Sequence, residues 1–308
     1  NHNLDVVIAT GDFTYADSYG PGTGTKVRNH VPAGECFSLA DYRRRHSQYR
    51  LDPREQAMRG SHGMIFTFDD HEIDDDWTGS LLDYVEDPTK NLAPGQTVWE
   101  RRHNGLKAHW ENLPLPYQMR PDRSLLPNSY QTLKWGNLAD FHLLDTRQFR
   151  SRATNNDGFD AQNRYMLGPD QLTDLGRSYR GARWDLLVNQ VIMTEWNYVD
   201  TAPSNPDSWD GYPAERRRIL QQWQDKNVRN PIVLTGDVHL AGAHRVFDPD
   251  ASGSRVFTAP EVVVSSVTSG GNHRGDWSSF WPNSVFDNIS GDPGIEMLGR
   301  RRGWVKLT

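Results

Sequence analysis

The segment Phe66 to Trp77, "FTFDDHEIDDDW", places six acidic side chains around one histidine, His71, directly after a short apolar run. Carboxylates at that density repel one another. Either a cation sits among them or they all face water. Two other segments carry matching chemistry. The run "LDVVIAT" ends in Gly11-Asp12, with Tyr15 three residues on, and "PIVLTGDVH" ends in Gly236-Asp237-Val238-His239. Carboxylate, imidazole and phenol are oxygen and nitrogen donors, suited to Fe, Mn, Zn or Ca and poorly suited to Cu(I). An Asp reaching between two cations could bridge them. Two metals about 3.5–4 Å apart clamp a phosphoryl group and activate water.

Each motif alone has an ordinary reading. Gly-Asp after a strand is usually a turn, an acidic run is usually a solvated loop, and Tyr15 or His239 alone is more often a packing or loop residue. Three such motifs after three apolar runs are another matter, because ligands in open α/β sheets gather at the carboxyl ends of strands.

The elements that must position these groups follow from periodicity and punctuation. Strands are expected at Leu4–Thr10, Met64–Phe68, Trp184–Thr194, from Ile232, at Glu261–Val267 and at Trp304–Leu307. A hairpin is expected in "SYQTLKWGNLADFHLLD", turning at Trp135-Gly136-Asn137. Helices are expected over Leu39–Gly60, Gln96–Asn112, Gly168–Tyr179 and Pro213–Trp223, the last two opened by a proline. Strands alternating with helices give an α/β fold with a mixed sheet, and residues 1–308 read as a single domain.

Bulk composition narrows the function. The 308 residues are 36% hydrophobic, enough for a real core, and the net charge of −6 argues against a stable nucleic-acid partner. One cysteine, Cys36, excludes an internal disulfide and a multi-thiolate metal site. No run of 18 apolar residues predicts a transmembrane span. The first residues enter a strand almost at once and no signal peptide precedes them, so the chain reads as trimmed at its N-terminus. There is no Gly-x-Ser-x-Gly elbow and no P-loop.

"GDFTYAD", "FDDHEIDDDW", "LDTRQFR", "MLGPDQL", "SWDGYPAERRRIL" and "LTGDVH" occur in an order that resembles the PhoD-like alkaline phosphatases and phosphodiesterases, within the calcineurin-like metallophosphoesterases. The likeness runs from residue 4 to about 307. It implies a four-layer αββα sandwich with the site at the strand ends. It implies Asp12 as a bridging ligand, Tyr15 as a phenolate on iron, and Asp70, Asp237 and His239 as further ligands. His71 would protonate the leaving-group oxygen. Fe(III) and Ca(II) are the implied cofactors, with Mn or Zn as alternatives, and a small phosphate ester the implied substrate. It also implies a protein that is secreted, periplasmic or attached to the cell wall. The strand ending in "SC" that opens the family pattern is missing here, and Cys36 stands in the wrong place to replace its ligand. Asp75 stands where relatives often carry Asn.

Arg147 is the candidate for stabilising equatorial phosphoryl oxygens or for supporting the ligands, with a salt bridge to Asp145 as its plainer reading. Trp209, Gly211 and Tyr212 are expected in a loop over the site, or else as a helix start with Glu215, Arg216 and Arg217 solvated. His142 is expected on a strand surface, and "HRGDW" at His273 as a loop near the site or nothing. Two other functions stay open: a catalytically idle module holding Ca(II), and a metal-dependent nuclease or phospholipase D-like activity.

Overall fold

The computed structural model describes residues 4–17, 29–79, 92–121, 128–152, 162–196, 205–249, 255–268, 295–299 and 303–308. The segment around His273 lies outside them. Two sheets carry the fold. The smaller pairs β1 (Val6–Ala9) in parallel with β2 (Gly63–Phe66), Val6 opposite Gly63 and Ala9 opposite Phe66. The larger contains β3 (Gln131–Trp135), β4 (Ala139–Leu143), β5 (Trp184–Val188), β6 (Pro231–Thr235), β7 (Ala241–Pro249), β8 (Arg255–Val263) and β9 (Ile295–Gly299), in the order β3-β4-β5-β6-β8-β7-β9. Its centre, β4-β5-β6-β8, is parallel, and its flanks are antiparallel. This is the mixed α/β architecture that the alternation of elements predicts.

Apolar contacts show what packs on what. Val6, Ile8 and Ile65 of the small sheet meet Phe141, Leu143, Leu186, Val188 and Leu234 of the large one, which fixes the two sheets face to face. The opposite face of the large sheet, through Leu187 and Val233, receives Leu175 of α4 (Gly168–Ser178) and Ile219, Leu220 and Trp223 of α5 (Pro213–Asp225). Trp209 and Tyr212 are buried in this second core, so they do not form a loop over the site. Glu215 is not solvated either: buried, it accepts from the amides of Met166 and Leu167, the latter at 2.8 Å.

The expected helix over Leu39–Gly60 is two helices, α1 (Leu39–Arg50) and α2 (Pro53–Ser61). Pro53 disfavours helix at Asp52, and Asp52 instead caps α2 through the Arg54 amide at 2.9 Å. Helix α3 (Val98–Asn112) opens on a capping box between Thr97 and Glu100. The hairpin turns as expected, with Gly136 at φ 57°. Residues 304–307 are not a strand. β5 stops at Val188, and the rest of its expected run continues as buried irregular chain. None of the described helices is long and apolar enough to cross a membrane.

Between α1 and α3 lie His46 and His109, both buried, with ring centroids 5.8 Å apart. Thr14 Oγ1 contacts His46 Nδ1 at 3.1 Å, while His46 Nε2 and both nitrogens of His109 have no hydrogen-bond partner. Burial pushes both imidazoles down, with His109 and then Arg59 adding to the effect at His46 and Arg59 at His109, and His109 falls to about 3. Unfolded imidazoles bind protons from about pH 6.5 downward while the buried pair does not. The stability tied to the neutral pair is therefore present above pH 6.5 and is lost as pH falls below it. His109→Leu should remove about 2–3 kcal/mol of the loss between pH 6.5 and 4.5. Urea midpoints at the two pH values test this, and an unchanged pH slope would refute it.

Candidate metal centre

The three strand ends meet because glycines let them. A Cβ on Gly11 would stand 2.6 Å from Asp69 Cβ, and one on Gly236 would stand 2.7 Å from Thr10 Oγ1. No other residue permits these approaches, and Gly11 also sits at φ 116°. Asp12, Asp237 and His239, which follow them, adopt left-handed backbone with φ of 51°, 68° and 54°. Such conformations cost roughly 1–3 kcal/mol each for non-glycine residues and cluster where function demands them.

The side chains converge. Tyr15 Oη donates to Asp12 Oδ2 at 3.2 Å and lies 2.7 Å from His239 Nε2. The His71 amide donates to Asp12 Oδ1 at 3.4 Å, and its ring stacks on Tyr15 with centroids 4.2 Å apart. Ligand atoms of Asp12, Asp70 and His71 lie within 4.8 Å of one another, as do those of Asp69, Asp70 and Asp237. Asp12, Tyr15, Asp70, His71, Asp237 and His239 thus occupy one place. Asp75 is largely exposed, 3.8 Å from His71 Nε2. Cys36 is buried between Ala16 and Tyr42, and burial pushes its thiol up to about 12.

Arg147 does not pair with Asp145 as its plainer reading expects. From Arg147, Asp145 accepts the backbone amide, at 3.0 Å, and not the guanidinium. The guanidinium, fully buried, donates to Asp69 and grips Asp207 through two bonds of 2.8 Å. Asp70 and Asp237 lie 3.6 and 3.8 Å from it. Arg150 adds a bond of 2.6 Å to Asp207. Glu72 accepts from the amides of Asp12 (3.2 Å), Phe13 (2.5 Å), Thr14 (3.3 Å) and Asp69 (2.8 Å), tying the turn after β1 to the turn after β2. Asp207, Arg150 and Glu72 escape sequence reasoning as individuals. Glu72 stands inside the acidic run, but nothing local marks it as the member that turns inward.

The electrostatics are unbalanced. Burial pushes Asp12 and Asp237 well above the usual carboxylate range, reinforced at Asp12 by Asp70 and Asp69 against the pull of His71, and at Asp237 by Asp69 and Asp207. Asp69 is pushed up to about 6 by burial, against the pull of Arg147. Burial opposes ionisation of Asp70 too, yet Arg147 and His71 bring it well below that range. Asp69 Oδ2 and Asp70 Oδ1 are buried with no hydrogen-bond partner. Buried acceptor atoms without donors, among hard oxygen and nitrogen groups, fit a cation.

Glu72→Gln swaps a four-fold acceptor for an amide that brings two donors towards backbone N–H groups. It should cost about 1–3 kcal/mol of stability and weaken cation binding about 10- to 100-fold. Thermal unfolding with and without added cation measures both, and a variant that melts and binds like the parent would remove Glu72 from this role.

The comparisons with known proteins bear on the family and the fold. The family model described as PhoD-like phosphatase matches residues 1–306. Alkaline phosphatase D of Bacillus subtilis (strain 168) is 36% identical over 332 residues, covering 99% of this chain and 52% of that protein. The solved structure titled "Structure of PhoD" superposes with a TM-score of 0.81 at 31% identity, covering 98% of this chain and 58% of the other. The chain therefore spans about half the length of the relatives it matches. A family match over almost every residue, joined to the likeness in fold, makes this chain a member of the PhoD-like phosphatase family.

Proposed function

We propose that the chain hydrolyses phosphate esters, monoesters or diesters, with cations held by Asp12, Tyr15, Asp70, Asp237 and His239 and with His71 as proton donor. The observation that carries this reading is the convergence of three strand ends on buried carboxylate oxygens that lack donors. Family membership supports the reaction class. Cations bound there would neutralise phosphoryl charge and acidify water enough to furnish a nucleophile. Fe(III) with Ca(II) follows from the family resemblance, and the donor set also accommodates Mn or Zn.

The chain's own groups divide the remaining work. Asp17 holds His71 Nδ1, which turns Nε2 outward. Burial opposes the charged ring, but Asp17, Asp70 and Asp12 raise its pKa well above the ordinary value, which favours the protonated imidazole that a proton donor needs. Nε2 then gives that proton to the departing alkoxide oxygen. Arg147 is a positioning residue. Its donors are directed at Asp207 and Asp69, inside the protein, and it fixes the carboxylates rather than the ester.

Chelator-stripped protein should regain turnover of p-nitrophenyl phosphate or bis(p-nitrophenyl) phosphate when cations are restored, and the ratio of the two gives the ester preference. His71→Ala should lower turnover about 100-fold or more with unchanged metal content. Full cation occupancy without turnover of either ester would leave the idle cation-binding module instead. If iron is bound at Tyr15, the protein will be coloured by tyrosinate-to-iron charge transfer. Tyr15→Phe should bleach it, and persistence of the band would take Tyr15 off the metal.

A further inference from the structure

The Arg147 guanidinium stands among carboxylates that compete for it. Asp207 holds it through two bonds of 2.8 Å, one from each terminal nitrogen. Nε donates to Asp69. On its other side Nη2 lies 3.6 Å from Asp70 Oδ1 and 3.8 Å from Asp237 Oδ1, too far for a hydrogen bond. A shift of about 1 Å would close either gap. Asp70 Oδ1 is buried and has no donor, so Arg147 stops short of an acceptor that its charge attracts.

A two-bond grip by a carboxylate fixes the plane of a guanidinium as well as its distance. Asp207 is itself anchored, since Arg150 donates to its Oδ1 at 2.6 Å and to its backbone carbonyl at 3.0 Å. Among the described residues, Asp207 stands in none of the groups whose ligand atoms lie close enough together to hold a cation. Its long-range field apart, its effect on a cation passes through Arg147. A guanidinium paired with Asp70 and Asp237 would occupy the oxygens a cation needs, and a cation would have to expel it to bind. We propose that Asp207 is a positioning residue: it draws Arg147 back and keeps Asp70 and Asp237 open to a cation. This role rests on the cation-dependent reading of the site given above.

Chelator-stripped protein titrated with Mn(II), with the free ion counted by electron paramagnetic resonance, tests the role. The parent should bind Mn(II). Asp207→Asn, which keeps the shape of the side chain, should bind it about 10-fold more weakly. Made in an Arg147→Met background, the same change should cost at least about threefold less affinity, because no guanidinium is left to advance. A crystal structure of Asp207→Asn should show Nη2 within hydrogen-bonding distance of Asp70 or Asp237. That readout stands whether or not the Arg147 variant folds. Equal losses of affinity in both backgrounds would reduce Asp207 to a distant charge and overturn the role. So would unchanged affinity in Asp207→Asn, or a guanidinium that keeps its parent distances. A parent that binds no Mn(II) instead removes the cation centre, and this role with it.

Discussion

Buried carboxylates at hydrogen-bonding range from one another are intolerable in a folded protein unless something positive or proton-donating answers each of them. In this chain the answer is divided. Glu72 is answered by four backbone amides. Asp207 and one oxygen of Asp69 are answered by Arg147, with Arg150 behind it. Asp12 is answered by the Tyr15 hydroxyl and the His71 amide and Asp237 by Arg147 at 3.8 Å, while Asp69 Oδ2 and Asp70 Oδ1 have no hydrogen-bond donor. The centre is thus an unbalanced cluster of hard oxygen and nitrogen donors, a set that suits a metal ion.

The scaffold serves that imbalance by bringing backbones unusually close. Glycines at Gly11 and Gly236 allow the strand ends to approach, and the residues after them absorb the resulting curvature in left-handed backbone. The face-to-face packing of the two sheets through Val6, Ile8, Ile65 and the β4–β6 residues holds these ends in register. The apolar core beneath is thus what makes the strained turns above it affordable.

How much of this could be read in the sequence depended on how local each signal is. Asp12, Asp70, His71, Asp237 and His239 were legible because each follows an apolar strand directly, and the strand both announces and aims it. Asp207 and Arg150 were not, since a loop aspartate in "NPDSW" has no period and acquires its role only through partners 57 to 60 residues away. Arg147 stands out in "LDTRQFR", but Asp145 is the partner that sequence proximity offers, and the real ones lie 78 and 60 residues away. His142 was misplaced because alternation in β4 signals a two-sided strand without saying that both sides are covered. β7 and β9 were missed because their mixed polar and apolar residues lack a clean alternation.

The Arg147 fork joins Asp69 to Asp207 across chain separations of 78 and 60 residues. A polypeptide still leaving the ribosome has the acidic run long before it has the aspartate that neutralises the arginine or the final Asp237 and His239. Premature chelation by a half-made chain would therefore involve a different, flexible ligand set with much lower selectivity. On the proposed reading, metal choice would be a property of the completed tertiary structure rather than of any one segment.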